Sequence, residues 1–555
     1  MLKQIFFILY IFLFSNGMYS QTFGWEWAKG GNGRNTGLAI SNDADGNVYT
    51  SGYTGNIVDV YGFPSFNTTF LYSVFITKCD SSGNPVWVVA AGGDYDVFVN
   101  SIATDHDKNV FITGYFQGDS LVIGDTTLQI TNIGTFFNSK NFFISKIDSL
   151  GNFVWTKTGN CVNDSYGNRV SVDNLDNIYV DGVYSFTPMT LDTITLPSCT
   201  LEDIFIAKYT TDGNIVWTKH FMGNAYENSI AMDYDGLNNI YVAGSCSYGI
   251  SIDNDTLISG PYFLSKIDVN GNVTWLKKVG GFGYDLSANT NGDVFFCGAF
   301  YGTAIFATDT LVSNGGNDAF LAKYDSAGIV DWATNVGGTD GDFFSGIATD
   351  QTGDAYIAGH FFSNSLTVGG YVFSNPSSSI GNTSDILYIK YNSSGSIDWV
   401  KEVGGDKDDK NNGVVLDENT GSLYAVGTFE SSYITFGSTT FTNSGIANPF
   451  NVLTDNLFLA KLSPEPLSIH EANLKSKIAV SPNPFSDEFS FSIETRPQGK
   501  ENKIELIDIL GNVVFETPIS VQSGIIKIDV SPGVYLLRLL SDNQIYSSEK
   551  LVKIR

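Results

Sequence analysis

Lys323, Asp325, Gly328 and Trp332 fall within FLAKYDSAGIVDW, and an ammonium, a carboxylate and an indole so close together could serve proton transfer or cation binding. Near-copies return in FISKIDSLGNFVW, FIAKYTTDGNIVW and FLSKIDVNGNVTW. An active site occurs once, so a set that recurs along the chain reads as a building element. The residues with more chemical promise stand eight to eleven positions after the tryptophans, in stretches such as GGDYDVF, NAYEN, FGYD, GTDGDFF and GGDKDDKNN. They are Tyr95, Asp96, Tyr166, Tyr226, Glu227, Tyr284, Asp285, Asp342, Phe343 and Asp409. Aromatic faces beside carboxylates suit sugar stacking or peptide recognition, and two carboxylates ~5–9.5 Å apart would suit glycoside cleavage. Because these residues also recur, they could equally cap the Gly-Gly turns and pack at sheet junctions.

Three marks define the frame that must position them. Trp27, Trp87, Trp155, Trp217, Trp275, Trp332 and Trp399 recur every 57 to 68 residues, with only Trp25 outside the series. Lys78, Lys146, Lys208, Lys266, Lys323 and Lys390 each precede a series tryptophan by nine residues, with glycine five residues after the lysine, and Lys461 is a seventh lysine of this kind. The third mark is aromatic-x-x-Gly, from Tyr49/Gly52 to Tyr424/Gly427. Phe-Ile-x-Lys reads as a strand, Asp-x-x-Gly as a tight turn and x-x-x-Trp as the returning strand. An upstream hairpin such as GIATDQTGDAYIAG brings each repeat to four strands, a to d.

A four-stranded antiparallel unit repeated seven times predicts an all-β, seven-bladed β-propeller, in which radial repetition leaves only short edges. FGWEWAKG near the start is a d strand with no c strand before it, and FLAKL (458–462) is a c strand with no d strand after it. Pairing the two would close the ring through the N-terminal strand. The spacing from the b-strand aromatic to the lysine runs from 25 residues (241 to 266) to 37 (424 to 461), while the c–d turns are constant. Length variation therefore falls on the face carrying the b–c and d–a connections, where binding is expected.

Bulk properties narrow the partners. Of 555 residues 58 are acidic and 30 basic, a net charge of −28, which argues against nucleic acid. MLKQIFFILYIFLFSNGMYSQTF has a basic start, apolar residues 5–14 and small polar residues, which predicts a signal peptide over 1–20 cleaved before Gln21. No other apolar run reaches membrane length, so no transmembrane segment is expected, and a monomer is expected. Cys79, Cys161, Cys199, Cys246 and Cys297 form no CxxC, and Cys161 with Cys199 is the pairing to test for a disulfide. The four histidines form no HExxH, so no metal or cofactor is expected. DADGN (43–47), DYDGLNN (233–239) and SIDNDT (251–256) resemble calcium loops but lack the distant Glu, leaving hairpin turns as the favoured reading and calcium as the alternative.

The combined pattern over residues 24–463 resembles the bacterial seven-bladed β-propeller repeat family, whose members are mostly exported. After the linker PEPLSIHEANLKSK (464–477), residues 478–555 alternate as a small Ig-like β-sandwich. Pro482, Asn483, Pro484, the Asp508–Gly511 turn, the Gly533-Val-Tyr535 strand and the basic KLVKIR end closely resemble the type A C-terminal sorting domain of the type IX secretion system. That resemblance implies the type IX machinery as a partner, passage across the outer membrane, and surface attachment or release. The domains expected are thus a signal peptide (1–20), a propeller (21–463), a linker (464–477) and a sorting domain (478–555). With no nucleophile–base pair in the sequence, the expected function is a non-catalytic, adhesin-like propeller binding a polysaccharide or extracellular protein through its variable face. The rival is a polysaccharide lyase or hydrolase with acids at the channel mouth.

Overall fold

A computed structural model describes residues 23–31, 35–54, 57–58, 60–63, 66–67, 73–124, 126–129, 139–253, 255–257, 260–375, 383–443, 456–464, 478–494, 502–507, 513–541 and 544–554. The expected signal peptide, the linker beyond Pro464, and Asp508 and Gly511 lie outside them. Every element among the described residues is a β-strand. Among the described residues no helix is long and apolar enough to cross a membrane. The chain divides into two compact units, Met1–Glu465 and Pro466–Arg555.

In the first unit four antiparallel strands recur in seven sheets. The sixth is built from Asp342–Thr349 (a), Ala355–Phe361 (b), Asp385–Tyr391 (c) and Ile397–Val403 (d), paired in that order. The other a strands are Asn35–Asn42, Val97–Thr104, Ser165–Val172, Asn228–Tyr234, Phe282–Ala288 and Asp409–Asp417. The seventh sheet takes its d strand from the start of the chain: Phe23–Gly30 pairs with Asn456–Pro464, placing Trp27 opposite Lys461. Consecutive a strands lie against each other, and Asn35–Asn42 touches both Val97–Thr104 and Asp409–Asp417.

The three repeat marks are one row across each sheet. Tyr356 pairs with Lys390 and Lys390 with Trp399; Tyr424, Lys461 and Trp27 do the same in the seventh. In all seven the ammonium stands 4.9–5.7 Å from the centre of the b-strand ring, a contact worth about 0.5–2 kcal/mol. Six of the seven indoles donate Nε1–H to a carbonyl in the c–d turn of the following sheet, at 3.1–3.2 Å. The turn glycine permits this approach. Gly213 has φ +80, and a Cβ there would meet the Trp155 ring at 3.0 Å. The turn carboxylates are equally local: Asp43 Oδ1 accepts from the Asp45 and Asn47 amides, and Asp235 Oδ1 from those of Leu237 and Asn239.

One feature exceeds the four-strand expectation. Each b–c connection folds into an additional short hairpin, for example Thr303–Phe306 with Asp309–Val312 and Tyr433–Phe436 with Thr439–Thr442. Three of these hairpins hydrogen-bond the d strand of the preceding sheet, as Leu121 does opposite Gly93. Part of the length variation thus builds an outer row of strands rather than free loop. Cys161 and Cys199 are unbridged. Cys161 Sγ lies 3.8 Å from the Ser185 carbonyl and Cys199 Sγ 3.5 Å from that of Tyr184.

The second unit contains a three-stranded sheet (Ile478–Ser481, Glu488–Ile493, Ser523–Lys527) and a four-stranded one (Asn502–Ile507, Val513–Pro518, Gly533–Ser541, Gln544–Lys553). Between them lies a core of Phe485, Phe489, Leu506, Leu537, Leu539 and Leu551. Asn483, exposed between exposed Pro482 and Pro484, clamps the last strand: it donates to the Lys550 carbonyl at 2.7 Å and accepts from the Val552 amide at 2.9 Å. Tyr535, on the strand that Gly533 opens, is buried and donates its hydroxyl proton to the Ser531 carbonyl.

Candidate ligand-binding rim

An inner strand has one ladder edge with no partner strand, so its amides and carbonyls must be satisfied in another way. Each a strand solves this with a β-bulge at the same level, which sets Leu38, Asn100, Asn168, Ile230, Tyr284, Ser345 and Asn412 out of register. Where the bulged residue is Asn or Ser, it donates to the carbonyl just before the next sheet's bulge. Asn100 reaches Gly167 at 2.8 Å, Asn168 reaches Ser229 at 2.9 Å, Ser345 reaches Asn411 at 2.9 Å and Asn412 reaches Gly37 at 2.6 Å.

The a strands of all seven sheets line a cavity of about 400 Å³. Arg169 on its wall reaches from the third sheet to the fifth, donating to the carbonyls of Asn168 (3.2 Å) and Tyr284 (3.4 Å). Asp233 and Asp285 also line it and accept amide hydrogens from the following sheets, from Ala288 at 2.9 Å and Ile347 at 3.2 Å. Burial pushes Asp233 up to about 7 and Asp285 up to about 6, the Arg169 charge partly opposing the second shift. Asp181, buried beside Arg169, rises to about 7 for the same reason.

Above the bulges the strands reach the face of the b–c and d–a connections. Two positions before each bulge, the a strand pairs with the residue directly after the fixed b-strand glycine. Around the sheets these pairs are Thr36/Tyr53, Phe98/Tyr115, Tyr166/Val183, Asn228/Ser245, Phe282/Ala299, Phe343/His360 and Lys410/Thr428. Their rings join into two arcs. In the first, Tyr53 lies 5.7 Å from Phe98, Phe98 stacks on Tyr115 at 5.0 Å, and Tyr115 lies 6.4 Å from Tyr166. Lys140 Nζ covers this arc, 4.7 Å from the Tyr115 ring and 5.0 Å from that of Tyr166. In the second, Phe282 lies 5.5 Å from Tyr262 and 5.0 Å from Tyr284, and Tyr284 lies 6.1 Å from Phe343. Phe343 stacks on His360 at 5.4 Å and meets Phe362 at 6.2 Å. Burial holds His360 down at about 4, so its ring is neutral at physiological pH. Every ring of both arcs is partly exposed.

The residues singled out in the sequence thus occupy different places. Tyr166, Tyr284 and Phe343 stand in the arcs. Asp342 lies buried beneath, accepting from the Gly338 amide at 2.7 Å and the Ser363 hydroxyl at 2.8 Å, and burial raises it to about 6. Asp409 does the same with the Ser431 hydroxyl at 2.7 Å and rises to about 8. Glu227 is fully buried and rises to about 7, and the absent Cβ of Gly223 leaves space for its carboxyl. Asp285 belongs to the cavity. Tyr95 and Tyr226 are exposed in the d–a connections, and the Asp96 carbonyl accepts from the Gln117 amide. Sequence reasoning missed Tyr53, Phe98, Tyr115, Phe282 and His360. The available signal was the residue following each aromatic-x-x-Gly, which is Tyr53, Tyr115 and His360 in three repeats.

Residues 479–554 match the family described as the secretion system C-terminal sorting domain. This tail marks the protein for type IX secretion, to the extracellular space or the outer-membrane surface. A WD repeat-containing protein of Acanthamoeba polyphaga mimivirus, L264, whose function is uncharacterized, is 23% identical over 513 residues. The match takes in 74% of the chain and 36% of that relative, so the chain spans about a third of the relative's length. Among solved structures, Sqt1 from Chaetomium thermophilum is 11% identical with a TM-score of 0.36, covering 78% of this chain and 86% of that one. PorZ, a surface component of the type IX secretion system of Porphyromonas gingivalis, is 10% identical with a TM-score of 0.14, covering 95% and 100%.

Proposed function

We propose that this β-propeller repeat protein, exported by the type IX route, is a non-catalytic binding module whose seven sheets close into a ring and present the two aromatic arcs to an extended extracellular ligand, a polysaccharide or a protein. The observation that carries the reading is the contrast between two rows of the same sheets. The aromatic–Lys–Trp row is nearly uniform in every sheet because ring assembly depends on it. The rim row holds Thr36, Asn228 or Lys410 in some sheets and Phe98, Tyr166, Phe282 or Phe343 in others. The frame therefore does not require an aromatic there. Partly exposed rings that the architecture does not demand, set at the mouth of an axial cavity, support ligand contact. The buried acids Asp342 and Asp409 are engaged by Ser363 and Ser431 and act as braces for the loops above the sheets.

The test is an array of polysaccharides and extracellular proteins probed with the purified protein, followed by product analysis of every ligand retained. Retention without cleavage is expected. Cleavage that disappears in Asp342→Asn or Glu227→Gln would establish the enzymatic alternative instead.

A further inference from the structure

The two arcs differ in charge, and this difference narrows the ligand; the inference rests on the binding role just proposed. The first arc carries an ammonium on its ring faces, Lys140 over Tyr115 and Tyr166. The second, formed by Tyr262, Phe282, Tyr284, Phe343, His360 and Phe362, has no such cation over its rings among the described residues. The cations on neighbouring strands stand off the rings: Lys410 pairs with Asp408 at 3.5 Å, Arg169 holds the main chain under Tyr284, and exposed Lys278, opposite Phe263, lies with its stem against Gly260. His360 is neutral. Acceptors do flank it. Asp340 sits three residues before Phe343 on the same connection and is partly exposed, its carboxylate taking only the Thr339 hydroxyl at 3.0 Å among the bonds described. Ring faces with a hydrogen-bond acceptor beside them and no cation stacked over them fit the C–H faces and hydroxyl donors of an uncharged sugar. A polyanion would meet Asp340 here with no cation on the ring faces to hold it, on a chain whose net charge is −28.

We propose that the open arc on the fifth and sixth sheets is a subsite for a neutral polysaccharide, its sugar faces stacking on Phe282, Tyr284 and Phe343 while Asp340 accepts from their hydroxyls. Polyanionic chains such as uronate polymers are excluded from it. A neutral ligand releases no counterions, so its affinity is insensitive to salt.

The experiment is affinity electrophoresis and calorimetry of the whole protein with xyloglucan and galactomannan as neutral probes, polygalacturonate and alginate as anionic ones, and polylysine as a cationic one. Retention by a neutral probe is expected, changing less than about twofold between 50 and 500 mM salt. Phe282→Ala and Phe343→Ala should each weaken it about tenfold. Tyr371→Ala, which removes an exposed ring from an outer hairpin, should leave it unchanged. Phe282 is 37% exposed, so its variant keeps the fold if that of Phe343 does not. Salt-sensitive binding of polygalacturonate or polylysine through these same rings would overturn the neutral-ligand inference and leave the binding role standing. Neutral binding indifferent to both variants would remove the subsite, and failure to retain any probe or any arrayed protein would remove both readings.

Discussion

The ring of Phe23 lies 4.9 Å from that of Trp399. The opening residue of the first strand thus covers the one tryptophan of the series whose indole N–H has no acceptor. Elsewhere the acceptor is the next sheet's c–d turn. After the sixth sheet that turn does not exist, because the seventh draws its c strand from Asn456–Pro464 and its d strand from Phe23–Gly30. Trp275 and Trp399 are equally buried, at 8% exposure, but only Trp275 has a partner, the Ser326 carbonyl at 3.1 Å. Trp275→Phe is therefore expected to cost about 1 kcal/mol more than Trp399→Phe, the net worth of one hydrogen bond. Urea unfolding of the two variants followed by fluorescence measures that difference. Equal costs would mean the indole bond contributes nothing.

Phe23→Ala is expected to destabilise the first unit by about 3 kcal/mol, since a buried aromatic at the seam leaves a cavity against Trp399. Hydrogen exchange should localise the loss to Asn456–Pro464, the strand that Phe23–Gly30 covers. Uniform loss of protection across all seven sheets would instead mean that this strand pair does not open on its own.

Much of this frame was legible because every repeat repeats its contacts: the aromatic, lysine and tryptophan positions are one physical row copied around the chain. The inserted hairpins were not legible. Thr303–Phe306 and Asp309–Val312 are four residues each, too short for alternation to stand out inside a connection of changing length. The rim was legible in part. A bulge adds one residue to each a strand, so alternation read from the sequence assigns opposite faces on its two sides. Tyr166 and Phe343 were found through their distance from tryptophan, whereas Tyr115 and His360, at the far end of b strands, carry no mark beyond the glycine before them. The loop acids were found by type, and only the structure places Asp342 and Asp409 beneath the loops rather than on the surface.

Those acids set the pH dependence of stability. Asp409 is raised to about 8, Asp181, Asp233, Glu227 and Asp385 to about 7, and Asp285 and Asp342 to about 6, in each case chiefly by burial. In the unfolded chain such groups titrate near 4, so between pH 4 and 8 the folded state binds more protons and stability falls as pH rises. The turn acids Asp80, Asp148 and Asp268 are lowered by side-chain and backbone hydrogen bonds that outweigh their desolvation, so their stabilisation is lost only as pH falls below 4. The urea midpoint should therefore peak near pH 4–5 and decline towards pH 8. Asp409→Asn should flatten the alkaline part of that decline. A midpoint that climbs from pH 5 to 8 would contradict this assignment.

Ala307 turns the hairpin of the fifth sheet at φ 51, in the left-handed region where the corresponding turns of the second and seventh sheets carry Gly124 at 54 and Gly437 at 59. An L-residue with a β-carbon is strained there by about 1 kcal/mol. Ala307→Gly should relieve this strain, and after the larger backbone entropy of glycine in the unfolded chain a gain of about 0.5 kcal/mol remains. The change is read as a higher urea midpoint with an unaltered slope, and a lower midpoint would mean that the alanine methyl packs against the neighbouring strand.

In the tail, Asn483 acts as a two-sided clamp, with its amide nitrogen on the Lys550 carbonyl and its oxygen on the Val552 amide. Phe485 continues the contact, its amide donating to the Val552 carbonyl at 2.9 Å and its carbonyl accepting from the Ile554 amide at 3.0 Å. The motif segment therefore holds the final strand from the side opposite Gly533–Ser541. Asn483→Ala removes both side-chain bonds and should cost about 1–2 kcal/mol, whereas Asn483→Asp keeps the acceptor, loses the donor and should cost less. Exchange of the amides in 550–554, followed by mass spectrometry on the full chain, should quicken in the order wild type, Asp, Ala. If export depends on this strand being held, secretion will fall in the same order; faster exchange with undiminished secretion would show that the machinery reads another part of the tail.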